Sequence, residues 1–152
     1  MPLHRIFVPT GLYTPEDKAA LAQAITDLYT AFGLPPFYVV VLFIDLEPTS
    51  FFVGGKTTAR MVRISVEHLA RNFDDDSIKR KFMDRYEAVL APFTKARGLD
   101  WEVQVTDCDR LLWNLNGMAP PEETSEEGKI WKQENRAVSP EEMEALKARA
   151  QL

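Results

Sequence analysis

Residues 37–46, FYVVVLFIDL, constrain the fold of this 152-residue chain more than any other stretch. In an extended strand successive side chains point to opposite faces. Here both alternating sets are apolar: Phe37, Val39, Val41 and Phe43 on one side, Tyr38, Val40, Leu42 and Ile44 on the other. Such a strand has to be covered on both faces, and the flanking segments show how much cover the chain itself can supply.

Ahead of it, residues 2–8 read as a strand, and TPEDKAALAQAITDLYTAFG reads as a helix. Thr14 is placed to cap that helix, Pro15 suits its first position and Asp17 approximates the capping-box acid. Leu21, Ile25, Leu28 and Phe32 recur at helical spacing. Gly33 suits a left-handed end, and Pro35 and Pro36 stop continuation. Gly54 and Gly55 mark a turn in SFFVGGKTT. The pattern then restarts. ARMVRISVEHL alternates Val62, Ile64 and Val66 with Arg63, Ser65 and Glu67. Asp74 to Asp76 open a second helix with the stripe Ile78, Phe82, Tyr86, Val89 and Phe93. Gly98 ends it, and WEVQVTD supplies a fourth strand with Trp101, Val103 and Val105 on one face.

A β-α-β pattern therefore occurs twice, over residues 2–46 and 60–106. Right-handed crossovers lay both helices on one face of a four-stranded mixed sheet, an α+β fold. The other face of the strand at 37–44 is left without cover, so burial alone calls for a partner subunit. From Ala119 the composition turns rich in Pro, Glu and Lys. The expected organisation is a core over residues 1–118, with 119–152 as an extended arm of the same domain. Trp131 should pin the arm, and Ser139, with Pro140 and Glu142, should cap a short helix at its end.

Against 18 Lys and Arg stand 23 Asp and Glu, a net charge of -5, which argues against nucleic acid as a partner. No stretch approaches the ~20 apolar residues of a membrane span, and the head of the chain does not read as a signal peptide. Cys108 is the only cysteine, so neither an internal disulfide nor a thiol metal site is expected. These features fit a cytoplasmic protein. A small second residue generally permits removal of the initiator methionine, which would leave Pro2 as an amino-terminal secondary amine. Burial or a nearby cation lowers the proton affinity of such an amine toward the range of a general base. Pro2 also suits the start of a strand, where its missing N–H costs no ladder bond.

With Pro2, the segments AITDLYTAFGLPPFYVVVLF, GGK, RISVEHLAR, LLWNLNGMAPP and IWKQENR resemble the tautomerase superfamily. Within it they are closest to the cis-3-chloroacrylic acid dehalogenase-like branch and its fungal-type members. The resemblance implies a homotrimer without cofactor or metal, in which Pro2 lies at the base of a small pocket and carries a proton. Tyr29 stands where the branch's dehalogenases have a histidine. Arg71 matches the first of their two arginines, and Asp74 occupies the second position. Val103 replaces a tyrosine, and Asn114 falls at or beside a water-positioning glutamate.

Arg71 is thus the candidate to bind a substrate carboxylate, or else a solvated arginine at a helix entry. Tyr29 is either a hydrogen-bond donor to a carbonyl oxygen or core packing. Asn114 either holds a carbonyl or serves a turn. His68, near Arg71, and Arg63, on the polar sheet face, are further candidates to bind substrate, with a structural or surface role and an inter-subunit ion pair as their respective alternatives. The expected activity is tautomerisation of a small α-keto, enol or unsaturated carboxylic acid. The alternatives are 3-haloacrylate dehalogenation with hydration, or a catalytically weak trimeric binding protein.

Overall fold

The computed structural model of the protein describes residues 1–69 and 71–150. Strand β1 (Leu3–Pro9), helix α1 (Pro15–Ala31) and strand β2 (Val40–Leu46) form the first unit. A hairpin of β3 (Phe52–Val53) and β4 (Lys56–Thr57) leads to the second, made of β5 (Met61–His68), α2 (Asp76–Leu90) and β6 (Asp100–Asp107). Helices α3 (Glu126–Glu134) and α4 (Pro140–Ala150) follow. The four long strands lie in the order β2-β1-β5-β6. Each unit pairs its own strands in parallel, and the units meet through antiparallel β1 and β5. The expected mixed sheet and α+β class are what the chain adopts.

Both helices cover one face. His4, Ile6 and Val8 of β1, with Val62, Ile64, Val66 and His68 of β5, are buried there with Leu21, Ile25 and Tyr29 of α1 and Phe82, Tyr86 and Leu90 of α2. Local chemistry fixes both ends of α1 and the start of α2 as expected, but α2 stops at Leu90 rather than at Gly98: Phe93 lies beyond it, and Gly98 ends a separate 3-10 turn, Lys95–Arg97. The Thr14 side chain accepts from the Asp17 N–H, and the Asp17 carboxylate accepts from the Thr14 N–H, both at 3.1 Å. At the other end of α1, Gly33 has φ of +93°, a conformation that favours glycine. In α2 the cap is Asp75, which accepts from the Ile78 N–H at 2.9 Å. Leu90, absent from the expected stripe, completes its buried face, while Ile78 is exposed.

Two further expectations need correction. The second strand begins at Val40, because Pro36–Tyr38 form a single 3-10 turn. Proline has no N–H for a ladder, and its fixed φ favours the turn. Tyr38 and Phe37 accordingly leave the sheet faces and set their rings against Trp113 at 5.0 Å and Trp131 at 6.3 Å. The two-sided strand is therefore shorter, with Val41 and Phe43 toward the helices and Val40, Leu42 and Ile44 on the open face. Leu42 is 44% exposed.

The second correction concerns the arm, which is helical over Glu126–Glu134 rather than extended. Ser125 caps this helix by accepting from the Gly128 N–H at 3.0 Å. A Cβ at Gly128 would collide with the Glu122 carbonyl, so glycine lets the preceding chain cross tightly over the first turn. Trp131 does pin the arm: it is buried, and its indole N–H donates to the Val138 carbonyl at 3.1 Å. Ser139 caps α4 in a reciprocal box with Glu142. Among the described residues no helix is long and apolar enough to cross a membrane.

Candidate active site

At the end of the sheet where β1 begins and β5 ends, period-two alternation puts two histidines on the helix-facing side. His4 is fully buried, with its Nδ1 2.7 Å from the Tyr86 hydroxyl. Its Nε2 has no partner among the described residues. Its ring and that of Tyr29 form a T-shaped pair with centroids 5.4 Å apart. His68 stacks on Phe73 at 4.4 Å, and the Tyr29 hydroxyl lies 3.4 Å from its Nδ1, long for a hydrogen bond.

Burial of these groups disfavours their charged forms. His68 falls from 6.5 to about 4, mainly by desolvation, with Asp107 opposing the shift and the terminal amine and Arg71 adding to it. His4 falls to about 3 by desolvation, with His68 adding. Burial also drives the Tyr29 phenol well above its ordinary value. At neutral pH the cluster is uncharged, and Tyr29 keeps a proton to donate.

Tyr29 and His68 form one wall of a cavity of about 300 Å³ between α1 and α2. Phe73 and Phe82 add apolar surface, and Arg71 and Arg85 supply cations. Ligand pockets are commonly of this size, with few polar groups in an apolar wall. The loop carrying Arg71 is tied down by Asp107, which accepts from the Phe73 N–H at 3.0 Å and the Asn72 side chain at 3.2 Å. Arg71 itself forms an ion pair with Glu123.

The amino terminus reaches the same end of the sheet. Pro2 is buried, and its carbonyl accepts from the Val40 N–H at 3.0 Å. One step beyond the Leu3↔Glu67 pair, the antiparallel register sets Pro2 opposite His68. Pro2 does not itself line the 300 Å³ cavity; its cross-strand neighbour His68 does. Burial, aided by the Arg110 guanidinium and opposed by Cys108, pushes the Met1 amine down from 8.0 to about 4.

Tyr29, His68 and Arg71 are thus gathered at one cavity with Pro2 adjoining. Two candidates lie elsewhere. Arg63 projects from the sheet face opposite the helices, where it pairs with Glu102 at 3.1 Å and donates to Gln104 at 2.7 Å; its ion pair is within the chain. Asn114 is exposed beside buried Trp113, just before the turn in which Asn116 and Gly117 take φ of +51° and +79°. The sequence reading passed over His4, Arg110 and Glu123. His4 was accessible by alternation with Ile6 and Val8, whereas the two charged groups act through contacts that no local pattern encodes. Among the described residues no three His, Cys, Asp or Glu side chains converge as a metal site.

A family model described as "Putative oxalocrotonate tautomerase enzyme" matches residues 1–136. The structure is similar to native RhCC from Rhodococcus jostii, at 40% identity and a TM-score of 0.87, over 90% of this chain and 99% of that one. It is equally similar to a probable enzyme from the thermophilic fungus Aspergillus fumigatus, at 43% identity and 0.87, over 91% and 97%. At low identity the fold alone is shared with N1, a member of the cis-3-chloroacrylic acid dehalogenase family (22%, TM-score 0.69, 88% and 97% covered). The same holds for a fused 4-OT described as an asymmetric trimer (21%, 0.63, 77% and 94%). No protein of curated function matches. A match across residues 1–136, together with two relatives at 40% or more over nine-tenths of the chain, establishes that the protein belongs to the oxalocrotonate tautomerase-like family of the tautomerase superfamily.

Proposed function

We propose that the protein is a cofactor-independent tautomerase in which Pro2, exposed as a secondary amine by removal of Met1, moves a proton between carbon and oxygen of a small α-keto or enol acid. The observation that carries this reading is the buried, cation-flanked amino terminus opposite His68. The influences that bring the Met1 amine to about 4 also bear on an amine one residue further in. An amine held neutral at pH 7 is a general base. Tyr29, kept protonated by burial, is the donor available to a developing enolate oxygen, and Arg71 is the cation available to a carboxylate.

Arg71→Ala is therefore expected to raise KM for phenylpyruvate roughly tenfold with little change in kcat, as loss of a half-exposed charged contact would. The methyl ester of the same substrate should be insensitive to the change. Equal effects on acid and ester would contradict a carboxylate role for Arg71. Asp74 at the cavity rim and exposed Asn114 favour tautomerisation over haloacrylate hydration, which in the resembling branch uses an arginine and a glutamate at those positions.

The fused 4-OT described as an asymmetric trimer and the open sheet face support a homotrimer, with residues 119–152 packed as part of the same domain. Val40, Leu42 and Ile44 leave an apolar strip on that face beside the Arg5–Glu67 and Arg63–Glu102 ion pairs. Leu42→Asp is expected to dissociate the assembly by placing a carboxylate in a desolvated contact. Sedimentation checks this: wild type should run as a trimer and the variant as a folded monomer. A wild-type monomer at micromolar concentration would contradict the assembly.

A further inference from the structure

Arg71 already holds a carboxylate. Its Nε donates to both oxygens of Glu123, at 2.9 and 3.2 Å, and its Nη2 donates to one of them. This is the fork arrangement by which a guanidinium recognises a free carboxylate. The partners are 52 residues apart, and Glu123 closes a short strap. Arg110 donates to the carbonyls of Pro120 and Pro121, at 3.2 and 2.7 Å, and pairs with Glu122. Residues 120–123 are therefore held at one end by Arg110, the cation beside the terminal amine, and at the other by Arg71.

Arg71 borders two spaces. One is the 300 Å³ cavity; the other, of about 170 Å³, is lined by Tyr38, Pro121, Glu123 and Lys132. The other cations at the larger cavity, Lys81 and Arg85, have no ion-pair partner among the described residues, although Arg85 lies over the Phe32 ring. Arg71 alone there is charge-satisfied from within the chain. Glu123 takes the Nε–Nη2 edge of the guanidinium, so a second carboxylate is left the Nη1 end and a charge already compensated. A ligand approaching from the larger cavity therefore meets a partly engaged, charge-compensated guanidinium, while Glu123 faces the smaller cavity, where Lys132 is a second cation.

We propose that Glu123 is an internal competitor for Arg71: a ligand carboxylate in the larger cavity draws the guanidinium away from Glu123, which stays at the smaller cavity with Lys132, so that Glu123 sets the affinity threshold for carboxylate ligands. The inference rests on the reading of Arg71 as the carboxylate-binding group. Affinity for a carboxylate then reflects the difference between two similar ion pairs. Removing the internal one strengthens binding by the modest amount typical of a half-exposed pair, whereas a purely positioning Glu123 would have the opposite effect.

The test is titration calorimetry of the full-length protein with benzoate, which cannot enolise, and with benzamide as its neutral counterpart. Wild type, Glu123→Gln, Arg71→Ala and the double variant are compared after circular dichroism confirms an unchanged fold. Glu123→Gln is nearly isosteric and removes only a surface pair. It is expected to bind benzoate about three- to tenfold more tightly than wild type, with benzamide unaffected. Glu123→Asp, which keeps the charge, should stay close to wild type. In the Arg71→Ala background, Glu123→Gln should have no effect. Benzoate affinity that depends on Arg71 but is unchanged or weakened by Glu123→Gln would overturn the competition alone. Affinity that does not depend on Arg71 would overturn the carboxylate reading and the competition with it.

Discussion

Replacing Pro2 with alanine is expected to reduce turnover by about 10²–10⁴-fold, the range for a positioned general base, while the fold and assembly persist. The side chain is small, and the bond between the Pro2 carbonyl and the Val40 N–H at 3.0 Å is made by backbone that alanine retains. What changes is the nitrogen: a primary amine differs from the pyrrolidine in basicity and in the direction of its lone pair. The depressed proton affinity at this terminus also fixes the sign of the pH dependence. A base whose pKa is lowered becomes active as pH rises through the lowered value, then holds steady. The acid limb of kcat/KM should therefore lie well below 8.0, the ordinary value of a terminal amine. Steady-state kinetics on mass-verified protein from pH 4 to 9 checks both points. An acid limb near 8, or turnover undiminished by Pro2→Ala, would contradict them.

The second large effect is on stability. His4 and His68 are neutral in the folded protein, at about 3 and 4, and titrate near 6.5 when unfolded. Above pH 6.5 neither state binds the protons, and the stability is fully present. Below 6.5 the unfolded chain takes up protons that the folded chain refuses, so stability falls with pH until the folded values are reached. Each histidine accounts for about 2 kcal/mol between pH 6.5 and 5. The buried amine adds a loss that begins near pH 8. Carboxylates held low by their partners, such as Asp17 accepting from the Thr14 N–H and from Arg97, and Glu142 beside Arg136, titrate below this window. Urea midpoints at pH 6.5 and 5.0 should differ markedly in wild type, and by about half of the histidine share less in His4→Asn. Equal midpoints at the two pH values would show that the histidines are solvated or charged in the fold.

What could be read from the sequence divides along the range of the interactions. The Thr14 capping box, the left-handed Gly33 and the Gly54–Gly55 turn are settled within a few residues, and each forms as its local chemistry dictates. Alternation carried the faces of β5 and β6, and it set Arg63 on the polar face, which is the one away from the helices. Phe37 to Val39 continued an unbroken apolar run, but Pro35 and Pro36 turned that segment out of the sheet, onto tryptophans 75 to 94 residues later. Helix α3 has one deeply buried apolar side chain, Trp131. Its helical face is defined by that contact rather than by a repeating stripe, so no periodicity marked it. The candidate site shows the same division: Tyr29 and Arg71 are candidates through the family resemblance, while Glu123, which engages Arg71, belongs to the acidic arm and is paired only by the tertiary fold.

The central claim, that catalysis runs through a free amine at Pro2, is tested most directly by two preparations of the wild-type sequence that differ only in Met1. Their masses would be verified before phenylpyruvate keto–enol exchange is followed under identical conditions. Retained Met1 converts the Pro2 nitrogen to an amide, which is neither a useful base nor an acid, without altering any side chain. The chain beginning at Pro2 is expected to catalyse exchange, and the chain beginning at Met1 to lack at least 99% of that activity, in line with loss of a general base. Equal rates from the two preparations would contradict a catalytic Pro2.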